Sequence, residues 1–315
     1  MIPKSITFSE NNQEIVKPIL PGLPISVFFT SFREDTYNCV NWHWHEMFQY
    51  CLVTEGIVDF HLPNSTYHVK AGDGIFINIQ QIHFINGRPG NPSSYLCLDL
   101  PPSFICPEEH SRSWQRYLQP VLRTPYPPIL LLSKRDPVQK KLLDFIREIH
   151  TLLRDEPEFM ELDIHILAVR IWESTFRMIE KITPPPAFQD TRKENDRLKV
   201  IMQYLLDHYS EKITLEEIAA QLSLSSGECC RFFKKLTGQS LFSYLKNLRI
   251  NKSMELLKNP DLSLSEIAAA VGFCNQSYFT DCFRKAKNIT PRKYRELTLR
   301  KPKDILPLDI GGGQD

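Results

Sequence analysis

One pattern occurs twice in the last third of the chain. The first copy is Ile213-Thr214-Leu215-Glu216-Glu217-Ile218-Ala219-Ala220-Gln221-Leu222-Ser223-Leu224-Ser225; the second is Leu262-Ser263-Leu264-Ser265-Glu266-Ile267-Ala268-Ala269-Ala270-Val271-Gly272-Phe273. Thr214 and Ser263 stand where a helix N-cap belongs, and Glu217 and Glu266 follow three residues on. That spacing is a capping box, in which side chain and backbone satisfy each other's orphan N–H groups. Leu215, Ile218, Ala219 and Leu222 form one apolar face, as do Leu264, Ile267, Ala268 and Val271. Small alanines at 219 and 268 let a following helix approach closely. A tight turn at 223–225, or at Gly272-Phe273, redirects the chain. A second helix follows, with a polar first half and Phe232, Phe233 and Leu236, or Phe279, Phe283 and Ala286, turned to the core. Each copy is expected to be a helix-turn-helix, whose second helix enters a DNA major groove.

Between the copies, Leu241, Tyr244, Leu245, Leu248, Ile250, Met254 and Leu257 predict a connecting helix that also carries Arg249 and Lys252. A rigid connector would set two recognition helices about one helical turn of DNA apart, ~34 Å. Charge is segregated in the same direction. Residues 1–190 carry 17 basic and 22 acidic side chains, whereas 231–303 carry 16 basic and 5 acidic. A local positive field of that kind favours a polyanion through counterion release.

The rest of the 315 residues reads differently. From about Ile25 to Leu100 short strands alternate with turns: 49–55 before Gly56, 57–62 before Pro63-Asn64-Ser65, and 75–79 after Gly72-Asp73-Gly74. Evenly spaced short strands predict an all-β barrel or jelly roll. Over 137–182, Leu142, Leu143, Ile146, Ile149, Leu152 and Leu153 recur at helical steps, as do Ile164, Leu167, Ala168, Ile171, Thr175 and Met178. Glu156-Pro157 breaks the run, giving an antiparallel helix pair that must bury its stripes on the barrel or against a second subunit. The expected organisation is therefore α+β and multidomain: a β-barrel over 1–136, a helical pair and dimerisation element over 137–182, and a linker over 183–195. An all-α domain follows over 196–300, with helix-turn-helix units at about 213–237 and 262–286 and the connecting helix over 240–257. A flexible tail closes it over 301–315. No apolar run is long enough for a bilayer, the first 24 residues lack a secretory h-region, and the eight cysteines lack a disulfide framework. The expected location is the cytoplasm, with no membrane partner.

Roughly 213–296 resembles the AraC/XylS family of bacterial transcription regulators. The resemblance rests on Glu266-Ile267-Ala268, Val271-Gly272-Phe273, Gln276-Ser277-Tyr278-Phe279, Phe283-Arg284-Lys285, Thr290-Pro291 and Tyr294-Arg295. It implies base contacts from Gly227, Cys230 and Arg231 in the first recognition helix and from Asn275, Gln276, Ser277 and Asp281 in the second. Arg pairs bidentately with guanine and Gln with adenine, so Arg231 and Gln276 are the leading base readers. Lys234, Lys235, Arg284 and Lys285 supply positive charge to the same helices. Two positions depart from the pattern: Gly227 has no side chain to read with, and Asp281 stands where a basic or polar residue is usual. The resemblance further implies double-stranded DNA, a small-molecule effector, RNA polymerase and a second copy of the chain as partners.

In the N-terminal part, Asn41-Trp42-His43-Trp44-His45-Glu46-Met47-Phe48-Gln49 places His43, His45 and Gln49 at even spacing, one face of a strand. With His83 they resemble the metal-binding set of a cupin barrel, in which a carboxylate would stand at Gln49. Three readings follow: an effector pocket without metal, a metal-containing sensor, or structural histidines. The first is the expectation adopted here, with no metal, no cofactor and no enzymatic activity; the effector is a small polar metabolite such as a sugar. A metal-dependent cupin enzyme with an accessory DNA-binding domain is the alternative.

Overall fold

Alternating side chains along the strands decide how the N-terminal part packs. The computed structural model describes residues 7–8, 14–15, 20, 22–32, 39–88, 90–185 and 188–299; the tail expected at 301–315 lies outside them. A short ladder pairs β1 (Thr7–Phe8) with β2 (Glu14–Ile15). The following strands are β3 (Ser26–Phe32), β4 (Cys39–His43), β5 (Phe48–Glu55), β6 (Ile57–Leu62), β7 (Ser65–Lys70), β8 (Gly74–Ile77), β9 (His83–Gly87), β10 (Ser93–Leu100) and β11 (Ile129–Leu132). They form two antiparallel sheets, one in the order β11-β8-β5-β10-β3 and one in the order β4-β9-β6-β7. Phe28, Cys51, Val53, Tyr95 and Cys97 from the first sheet meet Val40, Phe60, Val69 and Ile85 from the second, closing a cupin-like barrel interior.

The opposite face of the five-stranded sheet is equally apolar. Phe48, Tyr50, Leu52, Phe76, Leu96 and Leu98 pack under α3 (Pro137–Asp155) and α4 (Met160–Ile179). Leu142, Leu143, Ile146 and Ile149 on α3, with Ile164, Leu167, Ala168 and Ile171 on α4, are the predicted stripes, and the chain's own sheet covers them. A fully buried aliphatic side chain of this kind stabilises the fold by roughly 1.5–3 kcal/mol. The stripes therefore leave no apolar face for a second subunit; what α4 exposes is another face, with Leu162 58%, Ile166 48% and Val169 38% accessible. Asp136 caps α3 by accepting from the Val138 and Gln139 amides, Pro137 fills the first helical position, and Glu156 ends the helix in the left-handed region before Pro157. Short helical segments α1 (Pro102–Ile105) and 114–118, leading into α2 (Gln119–Arg123), complete this part.

The expected linker is mostly helix. α5 runs Phe188–Asp207, so 188–195 is helical rather than a spacer. Leu198, Ile201, Met202, Leu205 and Leu206 are its buried residues. The chain divides into two compact units, but not at 183–195: the first runs through His208 and takes in Ile213–Leu241, and the second holds Tyr209–Lys212 with everything from Phe242 onward. The first helix-turn-helix, α6 (Leu215–Ala220) and α7 (Ser226–Thr237), thus belongs to the barrel's unit. α8 (Leu241–Leu256), α9 (Leu264–Ala270), α10 (Gln276–Lys287) and α11 (Pro291–Leu299) follow. The second unit's core is Ile250, Met254, Leu257, Ile267, Ala268, Val271, Phe273, Phe279, Cys282 and Phe283. Ala286, expected in that core, is exposed.

Gly272 makes the second turn possible. Its φ is +83°, and an added Cβ would lie 2.7 Å from the Tyr209 carbonyl oxygen and 2.9 Å from that of Ser210. Gly238, which ends α7 at φ +72°, has open space at the same position. Gly238→Ala should therefore cost only the backbone term, ~1–2 kcal/mol. Gly272→Ala adds a clash with main chain, a further ~1–3 kcal/mol. Hydrogen exchange of the α9 and α10 amides reads the second unit directly, and unchanged protection in Gly272→Ala would refute this account of the turn.

Candidate nucleic-acid interface and barrel site

Caps fix the start of every helix in the two helix-turn-helix units. The Thr214 and Ser263 capping boxes form as predicted: Glu217 and Glu266 carboxylates accept from the Thr214 and Ser263 amides at 2.7 and 2.8 Å. Ser225 and Glu228 make a third box at the head of α7. Hydrogen bonds from Thr214, Ser225 and Ser263 hold the Glu217, Glu228 and Glu266 carboxyls below their ordinary range. Asn275 caps α10, its Oδ1 accepting from the Tyr278 amide at 2.8 Å. Cys229, Phe233 and Leu236 on α7, and Phe279, Cys282 and Phe283 on α10, are the buried sides.

The opposite sides hold the expected DNA-contacting residues. Gly227, Arg231, Lys234 and Lys235 are exposed on α7, with Cys230 half-buried; Asn275, Gln276, Ser277, Asp281, Arg284 and Lys285 are exposed at or on α10. A Cβ at Gly227 would make only an ordinary contact, 3.4 Å, with the end of the Arg231 guanidinium, so the helix does not require glycine there. Not every cation is uncommitted. Lys235 pairs with Glu194 of α5 at 2.8 Å, and Arg284 lies 3.5 Å from Asp281. Arg249, noted on the connecting helix, donates to the Tyr209 and Glu211 carbonyls at 2.7 Å each, and Lys252 covers the Tyr209 ring, so both hold the second unit together. Sequence reasoning missed Tyr278. It lies in the first turn of α10, 52% exposed, with its ring 5.8 Å from Phe273. The signal was present, because an aromatic next to core Phe279 in a helix must face away from that core.

The barrel site is built from both sheets. His43, His45 and Gln49 do not share one strand: β4 ends at His43 in the four-stranded sheet, and Gln49 sits in β5 of the other. A register irregularity between Val40 and His43 turns His43 inward, opposite His83 of β9. Trp42 instead stacks on Phe84, ring centroids 5.7 Å apart, on the outer side of that sheet. The rings of His43 and His83 are 4.0 Å apart, and that of His45 is 5.1 Å from His83. One ring nitrogen from each of the three lies within 4.8 Å of the others, and all three residues are buried. Every Nδ1 meets a backbone carbonyl: His43 with Asn41 at 2.7 Å, His45 with Met47 at 2.8 Å, His83 with Gln81 at 2.9 Å. Burial, with His43 and His45 alongside, holds His83 well below the ordinary imidazole range, so it is neutral near pH 7.

Gln49 shares the interior parity of Cys51 and Val53, and Asp99 that of Tyr95 and Cys97. The Gln49 amide donates to Asp99 Oδ1 at 2.9 Å, and both are buried. Sequence reasoning missed Asp99, although a carboxylate inside the apolar run 95–100 was its signal. Outside the histidines, Trp44 carries the Lys199 ammonium of α5 over its ring at 5.9 Å.

A double-sheet sensor joined to two helix-turn-helix units defines a DNA-binding regulator of transcription with its own ligand-binding domain. Residues 24–167 match the AraC-like ligand binding domain, and residues 218–297 match a helix-turn-helix domain family. The chain is 29% identical over 294 residues to the HTH-type transcriptional regulator YdeC of Bacillus subtilis, covering 93% of this chain and 99% of YdeC. It is 31% identical over 160 residues to the HTH-type transcriptional activator RhaS of Klebsiella pneumoniae, 50% of this chain and 56% of RhaS. ToxT of Vibrio cholerae, a solved structure, aligns over 87% of this chain and 98% of its own at 15% identity and a TM-score of 0.46. The chain belongs to the AraC family of transcriptional regulators.

Capping and reading by Asn275 are separable. Asn275→Ala should lower the stability of the second unit by ~1 kcal/mol, while Asn275→Asp keeps an acceptor for the Tyr278 amide and should not. Equal losses for the two, measured by hydrogen exchange of α10, would show that the cap is not what Asn275 contributes.

Proposed function

We propose that the chain is an effector-responsive, sequence-specific regulator that reads two major-groove segments of double-stranded DNA through α7 and α10. The observation that carries this reading is the exposed polar surface at the head of each recognition helix, above a buried aromatic anchor. Arg231 and Gln276 are the base readers, with Cys230, Asn275, Ser277 and Asp281 beside them. Lys234, Arg284 and Lys285 serve the phosphates, and Lys235 joins them only if it leaves Glu194. The named relatives are regulators of transcription rather than catalysts, and RhaS is named an activator; a contact with RNA polymerase fits that role. No described helix is long and apolar enough to cross a membrane, and the cysteines are free thiols, which suits a protein acting in the cytoplasm.

The effector is a small polar metabolite, of which a sugar is one kind, bound at the histidine end of the barrel. Support comes from chemistry: buried acceptors at His45 Nε2, His83 Nε2 and Gln49 Oε1 have no hydrogen-bond partner. The route outward passes through Trp44, between the two histidines, to Lys199 on α5, whose Glu194 pairs with Lys235 of α7.

Selection of binding sites from random duplex DNA by the full-length protein tests the reading. Two enriched blocks about one helical turn apart are expected, and no enrichment, with or without a metabolite pool, would overturn it. On the selected site Arg231→Ala should cost ~1–3 kcal/mol, and less on random DNA. Equal losses on both would make Arg231 a phosphate contact.

The chain acts as a homodimer, and the supporting surface is the outer stripe of α4, Leu162, Ile166 and Val169. A two-fold axis lets such a stripe meet its own copy in antiparallel register. Ile166→Asp should convert a dimer to a monomer in sedimentation while leaving the buried face of α4 intact. A wild-type chain that sediments as a monomer at micromolar concentration would exclude the dimer.

A further inference from the structure

We infer that Tyr278 is a specificity-determining residue for thymine, its ring packing on the C5-methyl group of a thymine in the DNA segment that α10 occupies. The inference rests on the reading of α10 as a major-groove helix and adds a base preference to it.

The two recognition helices differ at this position. In α7 the third residue after the N-cap is Glu228, whose carboxylate accepts from the Ser225 amide at 3.0 Å and closes a capping box. In α10 the third residue is Tyr278, which closes no box. Asn275 caps that helix by itself, its Oδ1 accepting from the amide of Tyr278 at 2.8 Å. The third position of α7 is thus consumed by capping, whereas that of α10 is released from it. What stands there is a large ring, 52% exposed, in the first turn of the helix. That turn is the part of a recognition helix that meets base edges.

The ring is held in place before any DNA arrives. It meets Phe273 edge-on, centroids 5.8 Å apart at 65°. Phe273 continues to Phe279 at 5.3 Å, and Phe279 to Phe283 at 5.8 Å, all three buried. Tyr278 is therefore the solvent end of a row of rings that runs through the core of the second unit. An aromatic side chain has only two torsions, and one already seated on a neighbour loses little freedom on binding.

Chemistry names the group it reads. Base edges in the major groove present nitrogen and oxygen acceptors and amino donors, and the one apolar projection among them is the thymine C5-methyl. The carbon face of a phenol gains burial and dispersion from that methyl and from nothing else there. A phosphate role suits the residue poorly. A hydrogen bond with the Cys282 thiol, one turn along α10, raises the phenol's pKa, so the ring brings no charge. The neighbouring cation, Arg249, is committed to the Tyr209 and Glu211 carbonyls. Gln276, two residues earlier, suits adenine, so the two side chains together favour an A·T-rich segment under α10.

Deoxyuridine is the probe, because replacing dT by dU removes only the methyl group. The duplex selected by the full-length protein is remade with one such replacement at a time. The wild-type protein should bind about four-fold more weakly at a thymine in one of the two blocks, which is what burial of one such group contributes. Tyr278→Ala should bind the dT and dU duplexes alike, while Tyr278→Phe keeps the difference, since the ring makes the contact. The salt dependence of binding should be the same in Tyr278→Ala as in the wild type, because no phosphate is involved. Hydrogen exchange of α10 checks that Tyr278→Ala is folded. Tyr278→Gln, a good helix former without a ring, takes its place if that protection is lost. The proposal is overturned by a selected site with thymine in neither block, or by wild-type binding indifferent to every methyl. A methyl effect that survives without the ring, its loss in Tyr278→Phe, or a flatter salt dependence without the ring overturns it equally. A selected duplex indifferent to the methyl removes this inference alone; failure to select any duplex removes the regulator reading with it.

Discussion

The five-stranded sheet is buried on both faces, and most of the molecule's first unit follows from that constraint. Along β5 the even residues Phe48, Tyr50 and Leu52 face the helices, and the odd residues Gln49, Cys51 and Val53 face the barrel. Such a strand cannot slip by one residue without driving Gln49 under α4 and Phe48 into the histidine cluster. The Tyr50 hydroxyl, 3.0 Å from Thr175 Oγ1, pins the register to α4. Thr175 already donates to the Ile171 carbonyl, so Tyr50 is the donor in that pair. Burial pushes the Tyr50 phenol well above its ordinary range, which keeps this donor protonated. The helices are needed to make a two-faced apolar sheet possible, and the sheet in turn consumes the helices' stripes.

That exchange explains which expectations held and which did not. The fold class was legible because periodicity is a local property: 3.6-residue stripes over 137–182 and capping boxes at Thr214 and Ser263 depend only on neighbouring residues. What covers a stripe is not local. The pattern of Leu142 to Ile149 is the same whether a sheet or a second subunit receives it, and only the apolar even face of β5 decides. The same limit explains 183–195. A polar, charged stretch reads as linker, yet from Phe188 it is the solvent-facing opening of α5, whose apolar residues come later, at Leu198 to Leu206.

At the barrel site the expected residues come together, but not by the expected route. Even spacing placed His43, His45 and Gln49 on one face of one strand, whereas the chain leaves β4 after His43, turns a corner, and enters the other sheet before Gln49. Two sheets facing one interior bring the same side chains together by a different route. The irregularity in β4 is what allows it, since unbroken alternation from inward Val40 would have sent Trp42 inside and His43 out. Asp99 escaped notice because it is distant in sequence, although its odd parity with Tyr95 and Cys97 places it on the same face as Gln49. In the DNA-binding units, the buried anchors were plain, but the division of labour among cations was not. Sequence places Arg249 and Lys252 on the connecting helix, and only the Tyr209 and Glu211 carbonyls and the Tyr209 ring show them to be internal braces.

The placement of α5 bears on how a ligand in the barrel could be felt by DNA. Trp44 sits between two buried histidines and carries Lys199 on its outer side. Lys199 is largely withdrawn from solvent, and burial lowers its pKa despite Asp196 and Glu46 nearby. A cation held partly dry over an aromatic ring is sensitive to small shifts of that ring, because little solvent is present to compensate. The Phe188 ring lies 4.7 Å from that of Tyr126, and Arg192 donates to the Arg123 carbonyl, so α5 is fastened to the barrel part at two more points. Glu194, on the same helix, holds Lys235 of the recognition helix α7. A ligand alters DNA binding only if it has different affinity for two arrangements of these contacts. The His43–His45 corner is where such a difference would arise, since both histidines bracket Trp44, whose ring lies under Lys199 of α5. The first helix-turn-helix lies in the same compact unit as the barrel, so a flexible linker is not required between the two.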